Sequence, residues 1–167
     1  MPVASEREVE AFRVHPATLW ISILVALVLQ TILPLKIPVA GLIDFPLLVT
    51  VYFTLIRQNK IFGIASGTGL GLMQDALSHG YLGMFGTEKA LVGYLAAYAA
   101  VRFNVGSLIA RSLVTTCLIL LHNLCMAGLQ RALLDPPPAF VPLELASAVL
   151  VNVALSLLLF PVLDRFR

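Results

Sequence analysis

The chain has 167 residues, of which 59% are hydrophobic and 12% charged, and its formal net charge is +2. Soluble domains carry about 25% charged residues, so this composition excludes the ordinary soluble classes and indicates a membrane protein. The small net charge gives no reason to expect a nucleic-acid partner. We therefore expect a single all-α transmembrane domain over residues 17–167, after a polar cytoplasmic lead-in over residues 1–16.

Six apolar segments alternate with short polar or proline-containing stretches, and each predicts a membrane-spanning helix. They lie at about 17–33, 43–56, 61–77, 87–101, 108–129 and 143–163. The second and fourth are short beside the ~20 residues that a helix needs to cross the hydrocarbon layer. Their ends must extend into flanking residues, or the bilayer must thin around them. The expected fold is a compact bundle of six transmembrane helices.

The positions of lysine and arginine predict the orientation of this bundle. If the N-terminus is inside, eight basic residues fall on the inner side and three on the outer side. The eight are Arg7, Arg13, Arg57, Lys60, Arg102, Arg111, Arg165 and Arg167, and the three are Lys36, Lys89 and Arg131. By the positive-inside rule both termini are cytoplasmic, as an even number of crossings requires.

The third segment carries a stripe of glycines that ends in an acid. Gly63, Gly67, Gly71 and Asp75 are spaced by four residues, so on a helix they share one face. Glycines at this spacing let another backbone approach closely and promote helix packing in lipid. A charged side chain facing lipid costs at least ~3 kcal/mol at mid-membrane, so we expect Asp75 to point into the bundle.

The fourth segment carries a second stripe of small residues: Gly86, Ala90, Gly93 and Ala97. The two segments are joined by a turn that contains His79, Gly80 and Gly83. Two helices with small faces and a tight turn predict a closely packed hairpin, which we place at the centre of the fold.

A partner for Asp75 is available in this hairpin, because Lys89 lies at a similar depth on the returning helix. We expect the two to interact, directly or through water. Glu88 points about 100° away from Lys89 around the helix, towards the membrane interface or a partner protein. The competing interpretation makes Glu88 and Lys89 a solvated helix start with Thr87 as its cap. For Asp75, a packing role is favoured over a catalytic one.

Three further polar residues lie in apolar segments. Asp44 precedes Pro46 at a helix start, where capping explains it. His122 and Asn123 lie midway along the fifth segment; a proton relay or a ligand contact competes there with the commoner hydrogen-bonded histidine between helices. Since the sequence contains no metal-ligand spacing, nucleophile elbow or phosphate loop, we expect no enzyme activity, metal site or cofactor.

Residues 63–98 resemble MreD, the rod-shape-determining membrane protein family of bacteria. The resemblance is carried by the run from Gly63 to Asp75, by the Leu82–Gly83 pair, and by the small-residue helix that follows. Residues 44–57 look like the family's second span, which opens at a proline and contains a tyrosine. Glu88 and Lys89 depart from the pattern, since the family carries mostly apolar residues there.

The resemblance implies a non-enzymatic, multi-pass scaffold of the bacterial cytoplasmic (inner) membrane, within the machinery for cell-wall elongation. Its implied partners are MreC, bound through its membrane anchor, RodA with its transpeptidase partner, and the MreB filaments, besides membrane lipid. The glycine face of the third segment is one candidate docking surface, and self-association through small-residue faces is a further expectation.

The family also resembles, in fold, the substrate-binding subunits of energy-coupling-factor vitamin transporters, although fold does not carry function with it. The alternative function is therefore a subunit that binds a small, vitamin-like molecule through Asp75, Lys89, His122 and Asn123. Against this alternative, the first segment lacks the paired alanines through which those subunits dock on their coupling partner.

Overall fold

The computed structural model of the protein describes residues 15–78, 81–103, 105–136, 138–139 and 141–166. These residues form six long helices and one short 3-10 helix, with no β-strand among them. The long helices are α1 (Pro16–Lys36), α2 (Phe45–Arg57), α3 (Lys60–Ser78), α4 (Met84–Arg102), α5 (Leu108–Leu133) and α6 (Pro142–Asp164). The all-α prediction and the six helix positions are confirmed. Most of the lead-in, and His79 and Gly80 of the predicted turn, lie outside the described residues.

Prolines and caps explain where several helices begin and end. Pro46 occupies the first turn of α2, and the Asp44 carboxylate accepts a hydrogen bond from the backbone N–H of Leu47. This helix stops at Gln58, whose φ of 52° is left-handed. Helix α4 begins at Met84, earlier than predicted, because Gly83 rather than Thr87 is its N-cap.

In the described part of the chain, four helical stretches are long and apolar enough to cross a membrane, which is consistent with a membrane protein. They are Pro16–Lys36, Pro38–Arg57, Ile109–Leu133 and Pro142–Asp164. The second stretch reaches 20 residues because the 3-10 helix Pro38–Leu42 precedes α2. This extension explains how a segment that looked short in the sequence gains the length to span.

Helix α2 lies at the centre of the bundle and contacts each of the other five long helices. Every residue from Pro46 to Ile56 is buried. The prediction that the α3–α4 hairpin is central is therefore wrong. The hairpin packs beside α2 and leaves large side chains such as Ile64 and Tyr94 exposed. All sides of α2 are buried between Pro46 and Ile56, where no residue is charged, whereas α3 buries only the face that carries Gly63, Gly67, Leu70, Gly71, Gln74 and Asp75.

The two ends of the bundle carry different contacts. At one end, which we call the basic end, Arg111 Nη2 lies 2.8 Å from Asp164 Oδ2, and this ion pair joins α5 to α6. The cationic groups of Lys60 and Arg102 both lie over the Tyr98 ring there. The opposite end holds the 3-10 helix, the start of α2 and the α3–α4 connection, and we call it the turn end.

Candidate functional site

The glycine stripe of α3 lies directly against the backbone of α4. A Cβ atom added to any of its three glycines would overlap a backbone carbonyl group of α4. The facing pairs are Gly63 with Gly93, Gly67 with Lys89, and Gly71 with Phe85. Ala97, further along the α4 stripe, is completely buried. The two helices therefore meet backbone against backbone, and α4 occupies the surface that was a candidate for partner docking.

Asp75, at the end of the stripe, caps the next helix. Its Oδ2 accepts hydrogen bonds from the backbone N–H groups of Gly83 and Gly86, at 2.9 and 3.2 Å, and its Oδ1 accepts one from Phe85 at 3.0 Å. The first N–H groups of a helix have no partner within it, and Gly83 has no side chain to cap them. The φ of 95° at Gly83 also favours glycine. A carboxylate on α3 thus stabilises the start of α4.

The predicted pair between Asp75 and Lys89 is not formed. Both oxygens of Asp75 accept hydrogen bonds from the start of α4, while Lys89 Nζ lies 2.6 Å from Asp44 Oδ2. The ammonium group also lies 4.5 Å from the centroid of the Phe85 ring. The competing interpretation, a solvated helix start at Glu88 and Lys89, is wrong as well, since both residues are buried.

Asp44 joins four helices at the turn end. Besides capping α2, its Oδ2 meets Lys89 of α4 and lies 3.4 Å from Nε2 of His122 on α5. Its backbone N–H donates to Oδ1 of Asn152 on α6, at 2.9 Å. The capping role expected for Asp44 is thus only part of what this carboxylate does.

His122 lies between two carboxylates. While Nε2 faces Asp44, Nδ1 contacts Oε1 of Glu88, which is 1% exposed. A neutral imidazole has one N–H and one acceptor nitrogen. Nδ1 of His122 and both carboxylate oxygens of Glu88 are buried, and apart from this contact they have no hydrogen-bond partner among the described residues. Glu88 faces the interior and not the membrane interface.

The four residues form one sequence of contacts, which we call the charge chain: Lys89, Asp44, His122 and Glu88. Lys89 and Asp44 bring opposite charges together, as ionisable groups inside a membrane protein usually do. The contacts of the charge chain hold α4 to α2 and α5.

Asn152 is a site residue that the sequence analysis missed. Its Nδ2 donates to the backbone carbonyls of Leu42, at 2.7 Å, and Ala148, at 2.8 Å, while its Oδ1 accepts from Asp44 N. The available signal was a single amide within the otherwise apolar run of α6. Asn123, which was predicted, is not part of the charge chain, and its Nδ2 donates to the carbonyl of Ile119.

A polar cavity of about 290 Å³ opens beside the charge chain at the turn end. Asp44, His122 and Asn123 contribute to its wall, but Asp75 and Lys89 do not. Of the four residues named for a small-molecule site, two therefore line this cavity and two serve the packing of α4.

In the part of the chain that the structure describes, no group of three or more His, Cys, Asp or Glu side chains is arranged to hold a metal ion. The arrangement at the turn end pairs charges, places an imidazole against a carboxylate and caps helices. Comparisons of the chain with protein-family models, with curated proteins and with solved structures found no match.

Proposed function

We propose that the chain is a membrane scaffold of the MreD type, with six spans and both termini in the cytoplasm. The observation that carries the proposal is the arrangement of the residues on which the resemblance rests. Gly63, Gly67 and Gly71 bring α3 against α4. Asp75 accepts a hydrogen bond from the backbone N–H of Gly83, the second residue of the Leu82–Gly83 pair, at the start of α4. The motif therefore packs α3 against α4 and caps α4, a structural role that fits a scaffold protein.

The proposed partner is the single membrane anchor of MreC. The surface that suits a single helix is an apolar groove of about 400 Å³ between α1, α2 and α6, rather than the occupied glycine stripe. Three small residues spaced by four, Thr18, Ser22 and Ala26, line it from α1. Helices associate in lipid where such residues let them approach closely, so this groove favours a helix over lipid chains.

In this proposal the scaffold positions MreC beside RodA, its transpeptidase partner and the MreB filaments. The buried charge chain keeps the bundle rigid, and the groove-facing side chains of α1 form the contact. Only 6% of the candidate membrane-spanning stretch in α1 is buried, which is the smallest share among the four stretches. It therefore offers the largest apolar surface to another helix.

The test is co-purification with MreC from membranes. Val25 lines the groove and is 47% exposed, so the larger side chain of Val25→Trp fills the groove without entering the core. We expect this substitution to lower co-purification of MreC at least tenfold. Leu120→Trp is the matched control, because Leu120 is 42% exposed on α5, away from the groove, and should leave co-purification unchanged. Wild-type protein that fails to retain MreC, or equal retention by both variants, contradicts the proposal.

A further inference from the structure

Two cavities at the turn end share one wall. The polar cavity of about 290 Å³ and a neighbouring cavity of about 560 Å³ are both lined by Gln30, Gly41, Gln74 and Phe85. We propose that together they bind an amphiphile with an uncharged, hydroxyl-bearing head group. The head group occupies the polar cavity, and the hydrocarbon chain occupies the larger one.

The chemistry of the polar cavity selects the head group. Seven of its side chains are amides or carboxylates: Gln30, Asp44, Gln74, Asn123, Gln130, Glu144 and Asn152. Amides both donate and accept hydrogen bonds, and so do hydroxyl groups, whereas carboxylates accept them. The described lining contains no lysine or arginine, and Lys89 is already paired with Asp44. An anionic head group would therefore meet the carboxylates of Asp44 and Glu144, while His122, the basic side chain of the described lining, already lies between two carboxylates.

Gln74 marks the point where a ligand is needed. Its side chain lines both cavities, the residue is 5% exposed, and its Oε1 has no hydrogen-bond partner among the described residues. A buried acceptor without a partner is costly, and a turn of the Gln74 amide towards the junction of the cavities would let a ligand hydroxyl supply the missing donor. This residue therefore fixes the position of the head group relative to the chain.

The larger cavity suits a hydrocarbon chain. Its apolar wall comes from Leu27, Pro34 and Leu35 of α1 and from Leu77 of α3. Both helices expose large hydrophobic side chains nearby, Leu35 and Leu77 among them, so the cavity adjoins the surface that faces lipid. A chain that enters from the bilayer passes mainly apolar side chains, while its head reaches the amides.

The experiment compares three probes on the full chain in phosphatidylcholine nanodiscs. They are monododecanoylglycerol, dodecanoate of the same chain length, and free glycerol. Alkyl glycoside detergents are avoided during purification because they carry the proposed head group. Saturable binding is measured against empty nanodiscs. We expect monododecanoylglycerol to bind at least tenfold more tightly than dodecanoate, and free glycerol to give no saturable binding.

A substitution at the junction tests the place of binding. Gly41 lies on both cavity walls, and a Cβ added there meets nothing within 4 Å, so Gly41→Leu fills the junction without strain. We expect it to lower the affinity for monododecanoylglycerol at least tenfold. Gly128→Leu is the matched control, since Gly128 on α5 is equally open and lines neither cavity. Equal binding of dodecanoate, saturable binding of free glycerol, or full affinity in Gly41→Leu overturns the proposal.

Discussion

Lys89 Nζ lies 2.6 Å from Asp44 Oδ2, and both residues are buried. The pair joins Lys89, in the first half of α4, to Asp44 at the start of the central helix α2. Replacing a buried ion pair by apolar residues is often neutral, but removing one partner leaves an uncompensated charge. The pair therefore makes the position of α4 on α2 specific, because any shift along the helix separates the two charges.

Lys89→Met tests this pair, since it retains much of the side-chain volume and removes the charge. We expect the free energy of unfolding to fall by ~3–5 kcal/mol, because Asp44 loses its cation. The measurement is reversible unfolding in mixed micelles.

The matched control for this prediction is Lys36→Met, in which the lost charge is exposed at the end of α1. It should change stability by less than ~0.5 kcal/mol. The double variant Lys89→Met with Asp44→Asn should recover part of the loss, because it removes both charges. A Lys89→Met protein as stable as the Lys36→Met protein would show that the pair does not hold the helices.

The contact of His122 with Glu88 predicts a coupling between the two residues. A double-mutant cycle with His122→Gln and Glu88→Gln should give an interaction free energy of at least ~1 kcal/mol, within the usual ~0.5–3 kcal/mol for residues in contact. The reference cycle combines Glu88→Gln with Asp135→Asn, at an exposed position in the α5–α6 connection, and should be additive. Additive effects in the first cycle would show that the contact does not couple the two residues.

Asp75→Ala should open the start of α4. The substitution leaves the N–H groups of Gly83, Phe85 and Gly86 without their acceptor, at an expected cost of ~1–3 kcal/mol. Asp75→Asn should cost less, because it keeps one acceptor oxygen. The measurement is hydrogen exchange of these three amides followed by mass spectrometry. Unchanged exchange in Asp75→Ala would mean that the carboxylate does not cap the helix.

The helices and the contact face of α3 could be predicted because their signals are local. Apolar runs, prolines and the Asp44 cap mark helix ends, and four-residue spacing places Gly63, Gly67 and Gly71 on one face. The prediction for Asp75 was right about its inward position and wrong about its partner. Similar depth alone suggested Lys89 as the partner, whereas the backbone N–H groups at the start of the next helix donate hydrogen bonds to the carboxylate.

The charge chain could not be predicted, because tertiary packing decides which distant residues meet. Lys89 lies 45 positions after Asp44, and His122 comes from another helix again. In the sequence, each of these residues could be explained by its own helix or by the neighbouring one. Asn152 was detectable in principle as a polar residue in an apolar run, but nothing local indicated that its amide bonds to the start of α2.

The central claim is that α3 and α4 are packed backbone against backbone along the glycine stripe. The most direct measurement compares the unfolding free energies of Gly67→Ala and Gly69→Ala, two glycines two positions apart on α3. A Cβ at Gly67 overlaps the Lys89 carbonyl, whereas one at Gly69 meets nothing within 4 Å. We predict that Gly67→Ala costs at least ~2 kcal/mol through overpacking, and that Gly69→Ala is neutral or stabilises by up to ~1 kcal/mol through helix propensity. Equal effects of the two substitutions, or a stabilising Gly67→Ala, would contradict the account.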